Sequence, residues 1–109
     1  MAGKETEVQS AICEYLTAKR LFFVRLNNIP ASYLDRNGNF RFRKLGKYAV
    51  PGLADILVIK NGHPYFIEVK RPKGGVISPE QHEFMRVAII AGATYFIAKS
   101  IDDVQAQGL

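Results

Sequence analysis

The chain is poor in cysteine, with Cys13 the single one among 109 residues. That excludes an internal disulfide and any multi-cysteine zinc site. It fits a reducing, intracellular setting, cytoplasmic by expectation, in which Cys13 packs in a helix as a small hydrophobe. Histidine is also scarce: His63 belongs to a turn and His82 to a helix surface, and neither has the partners of a catalytic histidine assembly. No stretch reaches the roughly 18 apolar residues of a membrane span. The polar segment from Met1 to Glu7 lacks the apolar stretch of a secretory signal. Acid is missing locally too: Arg36, Arg41, Arg43, Lys44 and Lys47 follow one another with no carboxylate between them. There is no internal repeat, no low-complexity tract and no sign of a second domain, so residues 1–109 read as one domain.

What is present describes an ordinary globule. Apolar residues make up 48% and charged residues 23%, which leaves no case for wholesale disorder. A chain of this size buries roughly two-thirds of its unfolded surface. Fifteen basic residues against ten acidic ones give a net charge of +5, which supports a polyanionic partner. The positive run from Arg36 to Lys47 is either a solvated loop or, the preferred reading, a DNA-backbone contact, because phosphate contacts dominate such affinity. Lys70, Arg71 and Lys73 form a second basic cluster.

Residues 5–19 read as a helix, with Val8, Ala11, Ile12, Tyr15 and Leu16 on one stripe. The segment from Leu21 to Leu26 is aromatic and β-branched, which predicts a strand. Asn37-Gly38 signals a turn, and Phe40-Arg41-Phe42-Arg43 alternates as a short strand with one positive face. Ser78-Pro79-Glu80-Gln81 is a helix start: Ser at the cap, Pro at the first position, Gln at the third. That helix runs to Ala91 and stops at Gly92; a strand over Thr94–Ala98 and a short helix from Ser100 follow. The order α-β-β-β-β-α-β-α, with central strands apolar on both faces, predicts an α/β fold with a mixed sheet between helices.

The segment from Gly52 to Lys70 is the most informative. Two apolar, β-branched runs flank Asn61-Gly62, the signature of a two-residue type I′ hairpin. Lys60 then pairs with His63, and counting back sets Asp55 opposite Glu68, with Cβ atoms about 4.5–5.5 Å apart. Lys70, two residues on, shares their face. Opposed carboxylates in an apolar hairpin are costly unless paired or metal-bound. A divalent cation between Asp55 and Glu68, with Lys70 beside it, removes the difficulty. Oxygen-only ligands, with the main-chain carbonyl of Val69 as a further donor, suit Mg²⁺ or Mn²⁺ rather than zinc. Such an ion activates water and polarises a phosphoryl oxygen, so the reaction class is phosphodiester hydrolysis.

Asp55 followed by Glu68-Val69-Lys70 resembles the D…ExK core of the PD-(D/E)xK nuclease superfamily. Glu7-Val8-Gln9, Gly52-x-x-Asp55, Glu68-Val69-Lys70-Arg71-Pro72 and Ser78-Pro79-Glu80-Gln81, in that order, resemble more narrowly the VRR-NUC family of virus-type replication-repair nucleases. The likeness spans nearly the whole chain, which looks like a minimal, stand-alone member. It departs from the superfamily pattern in two places: Ala54 precedes Asp55, with the proline at Pro51, and the first-helix acid is ambiguous among neighbouring positions. The resemblance implies a restriction-endonuclease-like core and Mg²⁺- or Mn²⁺-dependent cleavage of structured DNA. Holliday-junction resolution by a homodimer is among the family's activities, and its stand-alone members suggest a viral origin and a DNA-repair setting. Carried over, Asp55 and Glu68 are metal ligands, Lys70 is the catalytic lysine, and Gln81 matches a glutamine beside the site. Glu7 completes the metal shell from the first helix, with Glu5 and Gln9 as alternatives. A non-catalytic DNA-binding module, or a nickase or exonuclease on linear DNA, are the rival expectations.

Overall fold

Alternation along the central hairpin gives the sheet two packed faces. The computed structural model describes residues 4–26, 32–42 and 48–109; for 32–34 and 40–42 it describes the backbone. The elements run α1 (Glu5–Ala18), β1 (Phe22–Arg25), β2 (Ser32–Leu34), β3 (Phe40–Phe42), β4 (Ile56–Lys60), β5 (His63–Val69), α2 (Pro79–Ile90), β6 (Thr94–Ala98) and α3 (Ile101–Gln105). Four strands form a mixed sheet in the order β1-β4-β5-β6. β1 and β5 each lie antiparallel to β4, whereas β6 is parallel to β5. A parallel neighbour needs a crossover, and α2 supplies it. The α/β class with helices flanking a mixed sheet is therefore as expected.

One expectation needs correction. Among the described residues five strands precede α2, not four: β2 and β3 form a separate two-stranded sheet. β2 has only three residues and no alternation long enough to read. The Asn37-Gly38 turn between β2 and β3 is held by Asp35, whose Oδ1 accepts from the Asn37 and Asn39 N–H groups, each at 2.9 Å.

Asn61 and Gly62 close the β4–β5 hairpin with positive φ at both positions, +52° and +79°. Lys60 pairs with His63, and the register carries back to Ile56 opposite Ile67. On one face, Ile56, Val58, Ile67, Val69, Phe96 and Ala98 meet Val8, Ile12 and Leu16 of α1 and Val104 of α3. Burying each such side chain stabilises the fold by about 1.5–3 kcal/mol. Cys13 packs at the edge of this core, where burial pushes its thiol pKa up against the lowering effect of Arg25. On the other face, Phe84 of α2 stacks edge-on against Phe66, with ring centroids 5.0 Å apart, and tilts against Tyr95 at 6.0 Å. Among the described residues no helix is long and apolar enough to cross a membrane.

Candidate active site

The hairpin's open end carries the charged residues. Because Glu68 and Lys70 alternate with Ile67 and Val69, they leave the α1 core and share the α2 side of the sheet. All three of the expected groups are buried: Asp55 is 8% exposed, Glu68 2% and Lys70 9%. Asp55 sits just before the ladder, which begins at Ile56. Its N–H donates to the Ile67 carbonyl at 3.1 Å, one residue short of the ladder register. Its Oδ2 accepts from the Val69 N–H at 2.7 Å. This bond fixes the aspartate to the backbone between Glu68 and Lys70. Val69 thus meets Asp55 through its N–H, while the role expected for its carbonyl rests on the sequence reading alone.

Gln81 joins the two remaining groups. Its Nε2 donates to Glu68 Oε1 at 2.7 Å, and its Oε1 accepts from Lys70 Nζ at 3.2 Å and from the Ser78 N–H at 2.9 Å. Ser78 Oγ accepts in return from the Gln81 N–H at 3.1 Å, completing a capping box at the start of α2. The glutamine therefore has both readings at once: it caps the helix and it orients the site. Lys70 Nζ lies 3.6 Å from Glu68 Oε1.

Two glycines let these segments approach. At Gly52, where φ is +72°, an added Cβ would fall on the Glu80 carbonyl group and come within 2.6 Å of the Gln81 nitrogen. At Gly75 it would meet Lys70 Cβ at 2.8 Å. The first seats the chain leading to Asp55 on the start of α2, and the second lets the loop after Lys70 close over its stem.

The helix-borne acid is Glu5 rather than Glu7. Oxygens of Glu5, Asp55 and Glu68 all lie within 4.8 Å of one another. Glu7 is engaged elsewhere: its Oε2 accepts from the Lys4 main-chain N–H at 3.2 Å, closing the first turn of α1. Gln9, the other alternative, is buried against Arg25, its amide oxygen 2.8 and 2.9 Å from two guanidinium nitrogens once the amide is turned to accept. A signal for Glu5 was present in the sequence. Stepping back three residues from Val8 along the buried stripe Val8, Ile12 and Leu16 lands on Glu5, whereas Glu7 projects about 200° away from it around the helix.

The electrostatics match the crowding. The Glu68 carboxyl is pushed up to about 8, first by burial and then by the Asp55 charge, with a hydrogen bond to Asp55 and the Glu5 charge adding to the rise and Lys70 opposing it. Glu68 thus holds a proton at neutral pH. Glu68 Oε2 is buried and takes no hydrogen bond. An acceptor left bare amid carboxylates is what a small divalent cation would satisfy, and the all-oxygen donor set suits Mg²⁺ or Mn²⁺. The residues present fit such an ion.

Beside the acids opens a cleft of about 490 Å³ lined by Lys4, Glu5, Lys70, Arg71, Lys73 and Gly74 to Val76. Arg71 and Lys73 are exposed there as expected, and Arg71 Nη2 donates to the Gly74 carbonyl at 3.4 Å. Lys4 had no counterpart in the sequence reading; it arrives because α1 brings its first turn to the hairpin's end. Of the other basic run, Arg36 is exposed on the β2–β3 turn and Arg41 lies on β3; Arg43, Lys44 and Lys47 fall outside the described residues. No protein-family model, curated protein or solved structure matches the chain.

Proposed function

We propose that the protein is a Mg²⁺- or Mn²⁺-dependent DNA endonuclease of the VRR-NUC type, with a restriction-endonuclease-like core, acting on branched DNA such as four-way junctions. The observation that carries this reading is the meeting of three acids at one point, two of them buried, with a buried lysine alongside and a positively lined cleft adjoining. A purely structural ion pair between Lys70 and one carboxylate does not call for a second buried carboxyl, which without an ion has to stay protonated to be tolerated.

Asp55, Glu68 and Glu5 would hold the ion. When bound, it supplies positive charge for the developing phosphorane and lowers the pKa of a coordinated water. The chain's own groups do the rest. Asp55 is fixed by the Val69 N–H, and Glu68 by Gln81, so neither carboxylate has to reorganise. Lys70, held by Gln81, presents its ammonium to the phosphate and the attacking water. Arg71, Lys73 and Lys4 line the path of the backbone. A homodimer fits a substrate that needs paired cuts, and two-fold assemblies are the commonest oligomers.

The test is cleavage of a panel of four-way, flap and linear DNA with and without Mg²⁺. Metal-dependent cutting of the branched substrates is expected, lost on Asp55→Asn or Lys70→Ala with folding and most binding kept. Binding without cutting would make the protein a non-catalytic DNA module. Cutting confined to linear DNA would make it a nickase or exonuclease.

A further inference from the structure

Two buried side-chain atoms among the described residues lack a hydrogen-bond partner: Glu68 Oε2 and the Tyr95 hydroxyl. They are neighbours in the sheet. The parallel register sets Tyr95 beside Phe66 and Ile97 beside Glu68, so Tyr95 shares the α2 face with Glu68 and stands diagonal to it. Diagonal neighbours lie about 7–8 Å apart, within the reach of an aromatic side chain. Tyr95 is 9% exposed, Phe84 packs against its ring, and its hydroxyl is buried. Buried hydroxyls without a partner are uncommon and call for a reason.

We propose that Tyr95 is a positioning residue of the acidic site, its hydroxyl serving the second oxygen of Glu68, directly or through one water, as Gln81 serves the first. The proposal rests on the metal-site reading above. A carboxylate that holds an ion through one lone pair keeps further lone pairs that need donors. Gln81 Nε2 already meets Glu68 Oε1, and the Val69 N–H meets Asp55 Oδ2. Tyr95 is the neutral donor left for the Oε2 side. Burial, with the nearby charges of Glu68 and Asp55, raises its hydroxyl pKa, so the group stays a donor. Hydrogen bonds of this kind to metal ligands typically change metal affinity by about 10–100-fold.

The experiment is calorimetric titration of the full chain with Mn²⁺ alone, comparing wild type with Tyr95→Phe. Phe keeps the ring packing against Phe84 and deletes the oxygen. Weakening of Mn²⁺ binding by about 10–100-fold is expected, together with an unchanged or higher Tm without metal, because an unsatisfied buried hydroxyl has gone. A tyrosine that only packs would leave Mn²⁺ affinity unmoved, so binding within about twofold of wild type overturns the proposal while leaving the metal site standing. Failure of wild type to bind Mn²⁺ overturns the metal site itself, and this role with it. A second measurement needs no variant: with ¹³Cζ-tyrosine labelling, one of the five tyrosine signals should shift on saturation with Mg²⁺, and the proposal fails if none does.

Discussion

Replacing Glu68 by Gln should make the metal-free protein more resistant to alkaline pH while destroying its ability to hold an ion. Glu68 has its carboxyl lifted from 4.5 to about 8, chiefly by burial and then by Asp55. Below the unfolded value both states keep the proton. Between 4.5 and about 8 the unfolded chain loses it and the folded chain does not, so unfolding free energy falls as pH rises. Above about 8 that loss is complete. At about 1.4 kcal/mol per pKa unit the full range is on the order of 5 kcal/mol. Gln removes the effect without removing the geometry: its carbonyl still accepts from Gln81 Nε2, and its amide N–H replaces the carboxyl proton toward Asp55. The assay is urea unfolding in EDTA at pH 5 and pH 9. Wild type should lose roughly 3–4 kcal/mol more than Glu68→Gln across that interval. Saturating Mn²⁺ at pH 9 should restore wild type by about 2.7 kcal/mol at a hundredfold excess over Kd, and leave the variant unchanged. Equal pH slopes for the two proteins would refute the account of a buried, protonated Glu68.

Other outcomes follow from the same contacts. Gly52→Ala should destabilise the fold well beyond the roughly 1–2 kcal/mol of a left-handed alanine, because its Cβ lands on the Glu80 carbonyl; Gly38→Ala, at a similar φ with nothing within 4 Å, should show that strain alone in thermal melts. Ser78→Ala and Gln81→Ala should each weaken the α2 cap by about 1 kcal/mol, but only Gln81→Ala should lower cleavage and Mn²⁺ affinity; equal activities would reduce Gln81 to a cap. Arg71→Ala and Lys73→Ala should each flatten the slope of log K for DNA against log salt by about 0.9, measured by fluorescence anisotropy.

The parts of the fold that were legible are those specified locally. Asn61-Gly62 dictates a two-residue turn, and the turn dictates the register as far as Ile56 opposite Ile67, which brings Asp55 to the Glu68 end of the hairpin although it leaves the counted register there. Ser78 to Gln81 spell the α2 cap in four residues. What was misread depended on packing between distant segments. Glu5 and Glu7 are both acids on one helical turn, and which of them reaches the hairpin is decided by how Val8, Ile12 and Leu16 seat α1 on the sheet. Nothing in the Thr94–Ala98 strand singles out Tyr95, whose unpartnered hydroxyl shows only in the packed structure. β2 has too few residues to show a period.

The Asn61-Gly62 bend lies at the far tip of the hairpin, about 17–20 Å along the strands from Asp55. Its two left-handed residues nevertheless determine where the acids stand. Lengthening that bend by a single residue would slide β4 past β5 by one position and turn Asp55 toward the α1 core, leaving every chemical group intact and none of them in place. The tip is thus a remote part of the site's specification, and length variation there should be as damaging as replacing a ligand.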